Sequence, residues 1–260
     1  MPVDSAKIFF WGARALYLGG AFGLGPHRNA VAVLCAGLAG PFEVAIDPLQ
    51  PEAGYTKHHL VLISANTLHH LRIDAGTMAF LYLDTQSADN DRLKACATDG
   101  DERMAYGFPM QAQYLRVLEK LAARQPWAEI RTEIATTLRL TKAASRDDRI
   151  ADALRRMRDD PAGRQDVDAL ASDARLSTSR FQHLFKEATG LAVRRYKLWN
   201  RMGCAVRAMT AGESLTDAAL HAGFSSSAHF SSAFREMFGM PPSRLTQARL
   251  QIEEGSASPA

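Results

Sequence analysis

Apolar residues in the first part of the chain form short runs separated by glycine, proline, asparagine or aspartate. The clearest runs cover residues 8–11, 30–34, 42–46, 60–63 and 78–83. Runs of this length between turn-forming residues are typical of β-strands. Many short strands at this spacing predict an antiparallel barrel or jelly roll.

The apolar period changes near Pro109, where strand-like runs give way to helical spacing. The residues that carry this spacing are Tyr114, Leu115, Leu118, Leu121, Ile130, Ile134 and Leu138. We expect one or two helices here, which close a first domain over residues 1–141. The apolar stripe either packs inside its own domain, which we favour, or forms an antiparallel dimer seam.

Polar and small residues over 142–148 predict a linker, and beyond it the pattern is helical throughout. Asp166, Ser177 and Thr216 are the predicted N-caps of three helices, because a short polar side chain there can accept a backbone N–H. The serine run 225–227 is expected to open the last long helix. We assign residues 149–250 to a second domain and 251–260 to a disordered tail.

An internal duplication separates two similar helical units by 49 positions. The matching residues are Phe181, Phe185, Lys186, Glu187 and Gly190 in the first unit and Phe230, Phe234, Arg235, Glu236 and Gly239 in the second. Each unit has a short helix with a small residue, Ala171 or Ala219, then a tight turn and a second helix. A small residue lets two helices cross closely, so each unit predicts a helix-turn-helix. The phenylalanines are interpreted as core residues.

A long helix is predicted between the two units, from about residue 193 to residue 211. A helix of about 20 residues spans about 30 Å. The major groove of B-DNA repeats at about 34 Å, so two recognition helices held this far apart could occupy successive turns of the groove.

Charge is distributed unevenly along the chain, whose formal net charge is only +3. Residues 1–145 are neutral, with 14 basic and 14 acidic residues. Residues 175–249 hold eleven basic and four acidic residues, a local net charge of +7. Clustered lysine and arginine favour a polyphosphate partner, although a solvated basic face would look the same.

The helical part resembles the DNA-binding domain of the AraC/XylS family of bacterial regulators over roughly residues 147–249. The residues that carry the resemblance are Ala171, Leu176-Ser177, Arg180-Phe181, Leu184-Phe185-Lys186, Thr189-Gly190, Arg201, Asp217, Ala219, Ala222-Gly223-Phe224, Phe230, Phe234-Arg235, Phe238-Gly239, Pro241 and Pro242-Ser243. The resemblance implies a transcription regulator whose first half is a cupin-like barrel for effector binding or dimerisation. The expected fold class is therefore α+β: a cupin-like antiparallel β-barrel with closing helices, then an all-α domain of two tandem helix-turn-helix units.

The family pattern also implies which residues face DNA. In the first recognition helix the candidates are Ser177, Thr178, Ser179, Arg180, Gln182, His183 and Lys186, followed by Arg194 and Arg195 on the long helix. In the second they are Ser226, Ser227, Ala228, His229, Ser232 and Arg235. Serine and histidine discriminate bases less than arginine or glutamine, so the second helix is expected to favour phosphate contact and shape reading. Arg194, Arg195, Lys197 and Arg201 are phosphate contacts or solvated charges, and Arg201 could pair internally.

Histidines and tyrosines supply the candidate effector contacts of the first domain: His27, Tyr55, His58, His69 and Tyr82 at the barrel mouth. A cupin metal site would need convergent histidines. His58-His59 and His69-His70 are adjacent pairs, and adjacent residues on a strand point to opposite faces, so we expect no metal and no other cofactor. A barrel that only dimerises would have the same sequence features.

The favoured function is a sequence-specific transcription regulator with double-stranded DNA and a small-molecule effector as partners. It is expected to form a homodimer, and to contact RNA polymerase if it activates transcription. The alternatives are a metal-dependent cupin enzyme fused to a DNA-binding domain, for which the ligand spacing is absent, and an architectural DNA binder. The three scattered cysteines and the lack of a long apolar segment favour a cytoplasmic, non-membrane protein. The sequence shows no convincing Ser-His-Asp, Gly-rich phosphate-loop or paired-carboxylate constellation, so we do not expect an enzyme.

Overall fold

The N-terminal half is built on two β-sheets. The computed structural model describes residues 6–20, 23–50, 52–73, 76–83, 85, 87–141, 147–163, 166–247 and 251–254. Its strands are β1 Lys7–Trp11, β2 Arg14–Gly20, β3 Val33–Gly37, β4 Phe42–Ile46, β5 Thr56–His58, β6 Leu60–Ile63, β7 His69–Arg72, β8 Thr77–Tyr82, β9 Asp99–Gly100, β10 Met104–Tyr106 and β11 Gln251–Glu254. One sheet has the order β11-β1-β2-β8-β3-β6-β10-β9, and the other has the order β5-β4-β7.

The predicted closed barrel is wrong, because the eight-stranded sheet stays open. Its outer strands are β11 and β9, and β11 runs parallel to β1, so the sheet is not purely antiparallel. The apolar runs did predict strands, but strand pattern carries no information on which strand pairs with which across the sheet. The open sheet is stable because both of its faces are covered.

Both faces of the large sheet are buried, and alternate residues face opposite ways. Leu16 and Leu81 pack with helices α2 (Gln111–Ala122) and α3 (Trp127–Thr137). Tyr17, Phe80 and their neighbours pack in a second core that includes residues of the helical C-terminal half. Two buried faces explain why the strands read as continuous apolar runs rather than as alternating ones.

The apolar stripe of α2 is part of its own domain. Tyr114, Leu118 and Leu121 are buried against the sheet. The favoured alternative of the sequence analysis is confirmed, since these side chains are not available for a dimer seam. A short polar helix, α1 (Asp89–Cys96), was not predicted, because Leu93 is the one apolar residue that it buries.

The C-terminal half consists of seven helices within the described residues. They are α4 Asp148–Asp159, α5 Val167–Asp173, α6 Thr178–Thr189, α7 Val193–Thr210, α8 Leu215–His221, α9 Ser227–Phe238 and α10 Ser243–Gln247. None of the described helices is long and apolar enough to cross a bilayer.

The N-caps of three helices follow the sequence signals and one does not. Asp166, Ser177 and Ser226 cap α5, α6 and α9 through side-chain oxygens that accept backbone N–H groups. The predicted cap Thr216 is wrong, because it lies inside α8. Ser214 is the cap instead, and its hydroxyl also donates to the Asp217 carboxylate at 2.6 Å.

The tail predicted to be disordered is wrong over Gln251–Glu254, which form β11. This strand pairs with β1 in parallel register, with Ile252 opposite Ile8. Lys7 Nζ lies 3.0 Å from the Glu253 carboxylate. The pairing provides hydrogen-bond partners for the backbone groups at the edge of β1. The polar tail sequence does not reveal this tertiary contact. Most of the predicted linker, residues 142–146, and the tail residues 255–260 lie outside the described residues; Asp147 and Asp148 already cap and begin α4.

Candidate functional site

The two helix-turn-helix units have nearly equal dimensions. The first helices, α5 and α8, have 7 residues each, and the second helices, α6 and α9, have 12 residues each. Ala171 and Ala219 are buried where the helices cross, and Phe181 and Phe230 are buried below the second helices. The duplication in the sequence therefore corresponds to a duplication in structure.

The exposed faces of α6 and α9 present the predicted DNA-contacting residues. On α6 these are Ser179, Arg180, Gln182, His183 and Lys186, and on α9 they are Ala228, His229, Ser232 and Arg235. Ser177 and Ser226 are also exposed, but their hydroxyl oxygens accept from Arg180 N at 3.3 Å and His229 N at 3.1 Å. Thr178 is half-buried and donates to Asp168, and Ser227 is half-buried.

His229 is held in place by residues of the turn that precedes α9. Its Nδ1 lies 3.0 Å from the Ser225 hydroxyl, and its ring packs edge-on against Phe224 at 5.5 Å. These contacts restrict the rotamer of the imidazole at the exposed end of the helix. The orientation of His229 is therefore set before any partner binds.

The basic residues on α7 have different surroundings. Arg194 is exposed, whereas Arg195 donates from its guanidinium to the carbonyl of Arg28 at 2.8 Å, and burial lowers its pKa. Arg201 Nε donates to the Pro161 carbonyl within the domain at 3.3 Å, and burial lowers the pKa of Lys197. Arg195 is committed to the N-terminal half in this arrangement, so we leave it out of the proposed DNA surface.

A cavity of about 700 Å³ lies between the two halves of the protein. Its buried walls are mostly apolar and come from β1, β2, β3 and β8 on one side and from α7 and α9 on the other. Those apolar residues include Ile8, Tyr17, Val33, Phe80, Met202, Val206, Phe234 and Phe238. A volume of this size, with apolar walls and few polar groups, is typical of a small-molecule site.

The cavity opens to solvent at a charged rim. Arg207 and His221 are exposed lining residues, and Arg158 is a partly buried one. The Glu213 carboxylate lies 3.1 Å from Nδ1 of His221. The guanidinium of Arg207 lies over the ring of Phe10, 3.9 Å from its centroid. The polar groups of the rim therefore surround an apolar interior.

Three of the five predicted effector residues line this cavity: His27, His69 and Tyr82. Tyr82 packs against Trp199 and Phe238 of the helical half, with ring centroids 5.3 and 5.9 Å away. Tyr55 and His58 are not among the lining residues. Tyr55 is hydrogen-bonded to His70 at 2.7 Å, and His58 packs on Tyr106. These two residues therefore lie apart from the cavity: His58 is in β5 of the small sheet, and Tyr55 directly precedes that strand.

The helical half itself supplies about half of the cavity wall, which the sequence analysis missed. The sequence pattern predicts the site at the mouth of a barrel, within one domain. Trp199 on α7 and Phe238 on α9 instead contribute directly. The sequence carries no signal for this role, because it is defined by the packing of both side chains against Tyr82.

The segment over residues 25–29 holds the C-terminal end of α9. Gly25 N donates to the Gly239 carbonyl at 2.8 Å, Arg28 N donates to the Glu236 carbonyl at 3.1 Å, and Asn29 Nδ2 donates to the Met237 carbonyl at 2.8 Å. These carbonyls belong to the last turn of a helix, where backbone acceptors lack intrahelical partners. The N-terminal half thus completes the cap of the second recognition helix.

Metal ligands do not converge in the part of the chain that the structure describes: no group of three His, Cys, Asp or Glu side chains there could hold an ion. His27 and His69 are adjacent, but burial is the main reason that their pKa values are lowered, to about 4 and about 3. They are neutral imidazoles near pH 7.

Comparisons with known proteins agree with the fold and the helical site. A helix-turn-helix domain family matches residues 170–248. The HTH-type transcriptional activator RhaS of Escherichia coli O157:H7 is 25% identical over 262 aligned residues, which cover 81% of this chain and 94% of RhaS.

Solved structures of ToxT share the two-domain fold. ToxT from Vibrio cholerae O395 superposes with a TM-score of 0.60 at 11% identity, covering 91% of this chain and 98% of ToxT. ToxT from Vibrio cholerae strain SCE256 with an unsaturated fatty acid bound has a TM-score of 0.53 at 12% identity, covering 89% and 94%. At these identities the likeness shows the fold alone.

Two helix-turn-helix units joined to a sheet-rich domain define a DNA-binding transcription regulator. The repeat, the domain match and the similarity to RhaS support the resemblance to the AraC/XylS family of transcription regulators.

Proposed function

We propose that the protein recognises a preferred DNA sequence with α6 and α9 and that a small molecule in the cavity between its halves changes this recognition. The observation that carries the proposal is the shared position of residues 25–29. His27 in this segment lines the cavity, while Gly25, Arg28 and Asn29 hold the end of α9.

Exposed side chains and charge support the DNA-binding part of the proposal. Arg180 and Gln182 on α6 are long donors that can bond guanine and adenine in a bidentate way. The exposed positions in the first half of α9 carry alanine, histidine and serine, and Arg235 lies in its last turn, so this helix contributes phosphate contact and shape reading more than base reading. The connecting helix α7 has 18 residues and spans about 27 Å.

Coupling requires that the occupant bind one arrangement of the two halves better than another. The cavity meets this requirement because its walls come from both halves. An occupant that fits the present walls stabilises the contact between residues 25–29 and α9. An occupant that needs more room favours separation of the halves and releases α9.

Relatives support the regulatory part. The ToxT structure with a bound unsaturated fatty acid has the same fold, and RhaS is described as an activator. The proposal includes homodimer formation and, if the protein activates transcription, contact with RNA polymerase. The dimer surface lies elsewhere than the buried stripe of α2.

The proposal is tested by selecting bound fragments from a random DNA pool, with and without a small-molecule extract. We expect one preferred sequence whose half-sites are about one helical turn apart, with recovery that depends on the extract. Arg180→Ala and Gln182→Ala should relax the preference at single positions by about 1–3 kcal/mol each. Lys186→Ala is the matched control on the same helix, and should weaken binding to all sequences alike.

An architectural DNA binder is the second candidate, favoured by the local charge of +7 and the small side chains on α9. Its signature is a steep salt dependence with little preference among sequences, whereas a regulator prefers its site about a thousandfold or more. A pool that returns no enriched sequence would decide for this candidate.

A further inference from the structure

Two buried histidines meet on the wall of the cavity. The backbones of His27 and His69 exchange two hydrogen bonds of 3.0 Å, and their ring centroids are 4.2 Å apart. Nδ1 of His27 lies 2.8 Å from the Gly25 carbonyl oxygen, and Nδ1 of His69 lies 2.9 Å from the Thr67 carbonyl oxygen. A carbonyl oxygen only accepts, so each Nδ1 carries the proton.

This protonation pattern leaves each Nε2 with a lone pair. Both rings are neutral near pH 7, because burial lowers their pKa values and neighbouring His70 and Arg28 disfavour a further positive charge. The histidines therefore present hydrogen-bond acceptors rather than donors at Nε2. A neutral ring of this tautomer matches an O–H or N–H group and does not match a carboxylate.

The Nε2 atom of His69 is buried and has no hydrogen-bond partner among the described residues. His69 is 1% exposed and still lines the cavity. Buried polar atoms are nearly always satisfied in native proteins, so an orphan acceptor at a cavity wall indicates a missing donor. A bound molecule that carries a donor would supply it.

Three arginines line the cavity, Arg14, Arg158 and Arg207, and their surroundings decide whether one of them could pair with an anionic ligand at the histidines. The buried Arg14 donates from Nε and a terminal nitrogen to Asp89 at 2.9 and 2.6 Å, so its charge is already compensated. Arg207 is exposed and its guanidinium lies over the ring of Phe10, and Arg158 is partly buried. Arg28 is not a lining residue and donates to the Asn66 carbonyl at 2.9 Å. An anion placed against the histidines would therefore lose its hydration and face the Nε2 lone pairs.

We infer that the cavity takes an uncharged, largely apolar molecule that donates a hydrogen bond from a hydroxyl or N–H group to His69 Nε2. This inference rests on the proposed function for the biological role of the site, but the site itself is defined by its geometry. The apolar body of the molecule contacts Phe80, Phe234 and Phe238, and the donor selects among molecules of similar shape.

Matched aromatic probes test the chemical class by equilibrium dialysis against the full chain. The probes are 2-naphthol, 2-methoxynaphthalene, in which a methyl group replaces the donor hydrogen, and 2-naphthoate, which is charged at neutral pH. We expect 2-naphthol to bind about tenfold or more tightly than either of the others, since only it satisfies the buried acceptor.

Variants locate the donor contact. His69→Phe should bring the ratio between 2-naphthol and 2-methoxynaphthalene close to one. His70→Phe is the matched control, because His70 is the next residue of β7, bonds to Tyr55 and does not line the cavity. This variant should keep the ratio. The comparison among probes on the unaltered chain remains decisive even if His69→Phe does not fold.

The outcomes separate this inference from the proposed function. Tightest binding of 2-naphthoate, a ratio that persists in His69→Phe, or no binding of any probe overturns the inference. DNA affinity is measured in parallel by fluorescence anisotropy on the selected sequence. A preference for 2-naphthol without any change in DNA affinity supports the inference and overturns effector control. Binding of 2-naphthoate that changes DNA affinity supports effector control and overturns the inference.

Discussion

The two helix-turn-helix units share their local structure but not their surroundings. The helices α6 and α9 both end at a glycine in the left-handed region, Gly190 with φ 71° and Gly239 with φ 72°. A Cβ at Gly190 would meet no described atom within 4 Å. At Gly239 it would overlap the Gly25 carbonyl oxygen and lie 2.7 Å from His27 Nδ1. The duplication thus produced two similar recognition helices, and the N-terminal half contacts the end of the second one, α9.

Substituting alanine for each of the two glycines should have the largest effect and tests whether the two units differ in their surroundings. Gly190→Ala should cost about 1 kcal/mol in the free energy of unfolding, from the left-handed conformation alone. Gly239→Ala adds a collision with Gly25 and should cost about 3 kcal/mol or more, with loss of the cavity. Denaturant unfolding measures both. Equal costs would show that the contact of the second unit with residues 25–29 does not hold in solution.

Low pH should weaken the contact between residues 25–29 and α9. The folded-state pKa values of His27 and His69, about 4 and about 3, lie below the ordinary value of 6.5. The unfolded chain therefore takes up protons first as pH falls below about 6.5, and stability is lost from there down through the folded pKa values. The expected slope is about 1.4 kcal/mol per pH unit for each histidine.

Unfolding of the unaltered chain at pH 4.5–7 measures this slope, with His70 and Arg28 as the other groups that face the pair. His69→Phe should show a shallower slope than the unaltered chain, because one of the two titrating groups is gone. Identical slopes in the two proteins would contradict the assignment.

Adjacent arginines on α7 sharpen the comparison between docking and DNA binding. Arg195→Ala removes the bond to the Arg28 carbonyl and should cost about 1–2 kcal/mol of stability. Arg194→Ala should leave stability within about 0.5 kcal/mol, since Arg194 is exposed. If Arg194 contacts phosphate, its variant reduces the salt slope of DNA binding by about one. Thermal unfolding and salt titrations of DNA affinity separate the two roles.

The smallest effect is expected at the strand that follows the second unit. Lys7 and Glu253 pair at 3.0 Å, with side chains 20% and 40% exposed. Such a partly exposed pair contributes about 0–1 kcal/mol, so Glu253→Gln should lower stability by less than about 1 kcal/mol. Deleting residues 251–260 also removes the pairing of β11 with β1 and should cost more. A deletion no worse than Glu253→Gln would show that β11 contributes little.

Local features of the helical half could be predicted because their causes lie within a few residues. Ser177 and Ser226 cap helices by bonding the N–H three positions later, and the apolar spacing defines each helix face. Thr216 shows the limit of this logic. Both Ser214 and Thr216 are suitable caps by composition, and Ser214 was selected because Asp217 completes its capping interaction.

The candidate site was predictable only in part. His27, His69 and Tyr82 were identified as polar residues among apolar runs, and all three line the cavity. His58 lies away from the cavity because its strand, β5, joins the small sheet, and strand pattern does not show which sheet a strand joins. Tyr55 directly precedes this strand. Trp199 was missed because an aromatic residue on a helix has the same pattern whether it packs within the helical core or against another domain.

The amino-acid sequence by itself determined the elements, the duplication and the family resemblance, since each depends on spacing along the chain. Only the tertiary structure decided that the sheet stays open, that β11 covers its edge and that the cavity lies between the halves. These features depend on contacts between residues far apart in the chain, such as Asn29 with Met237. Their free energy comes from burying surfaces whose partners local spacing does not specify.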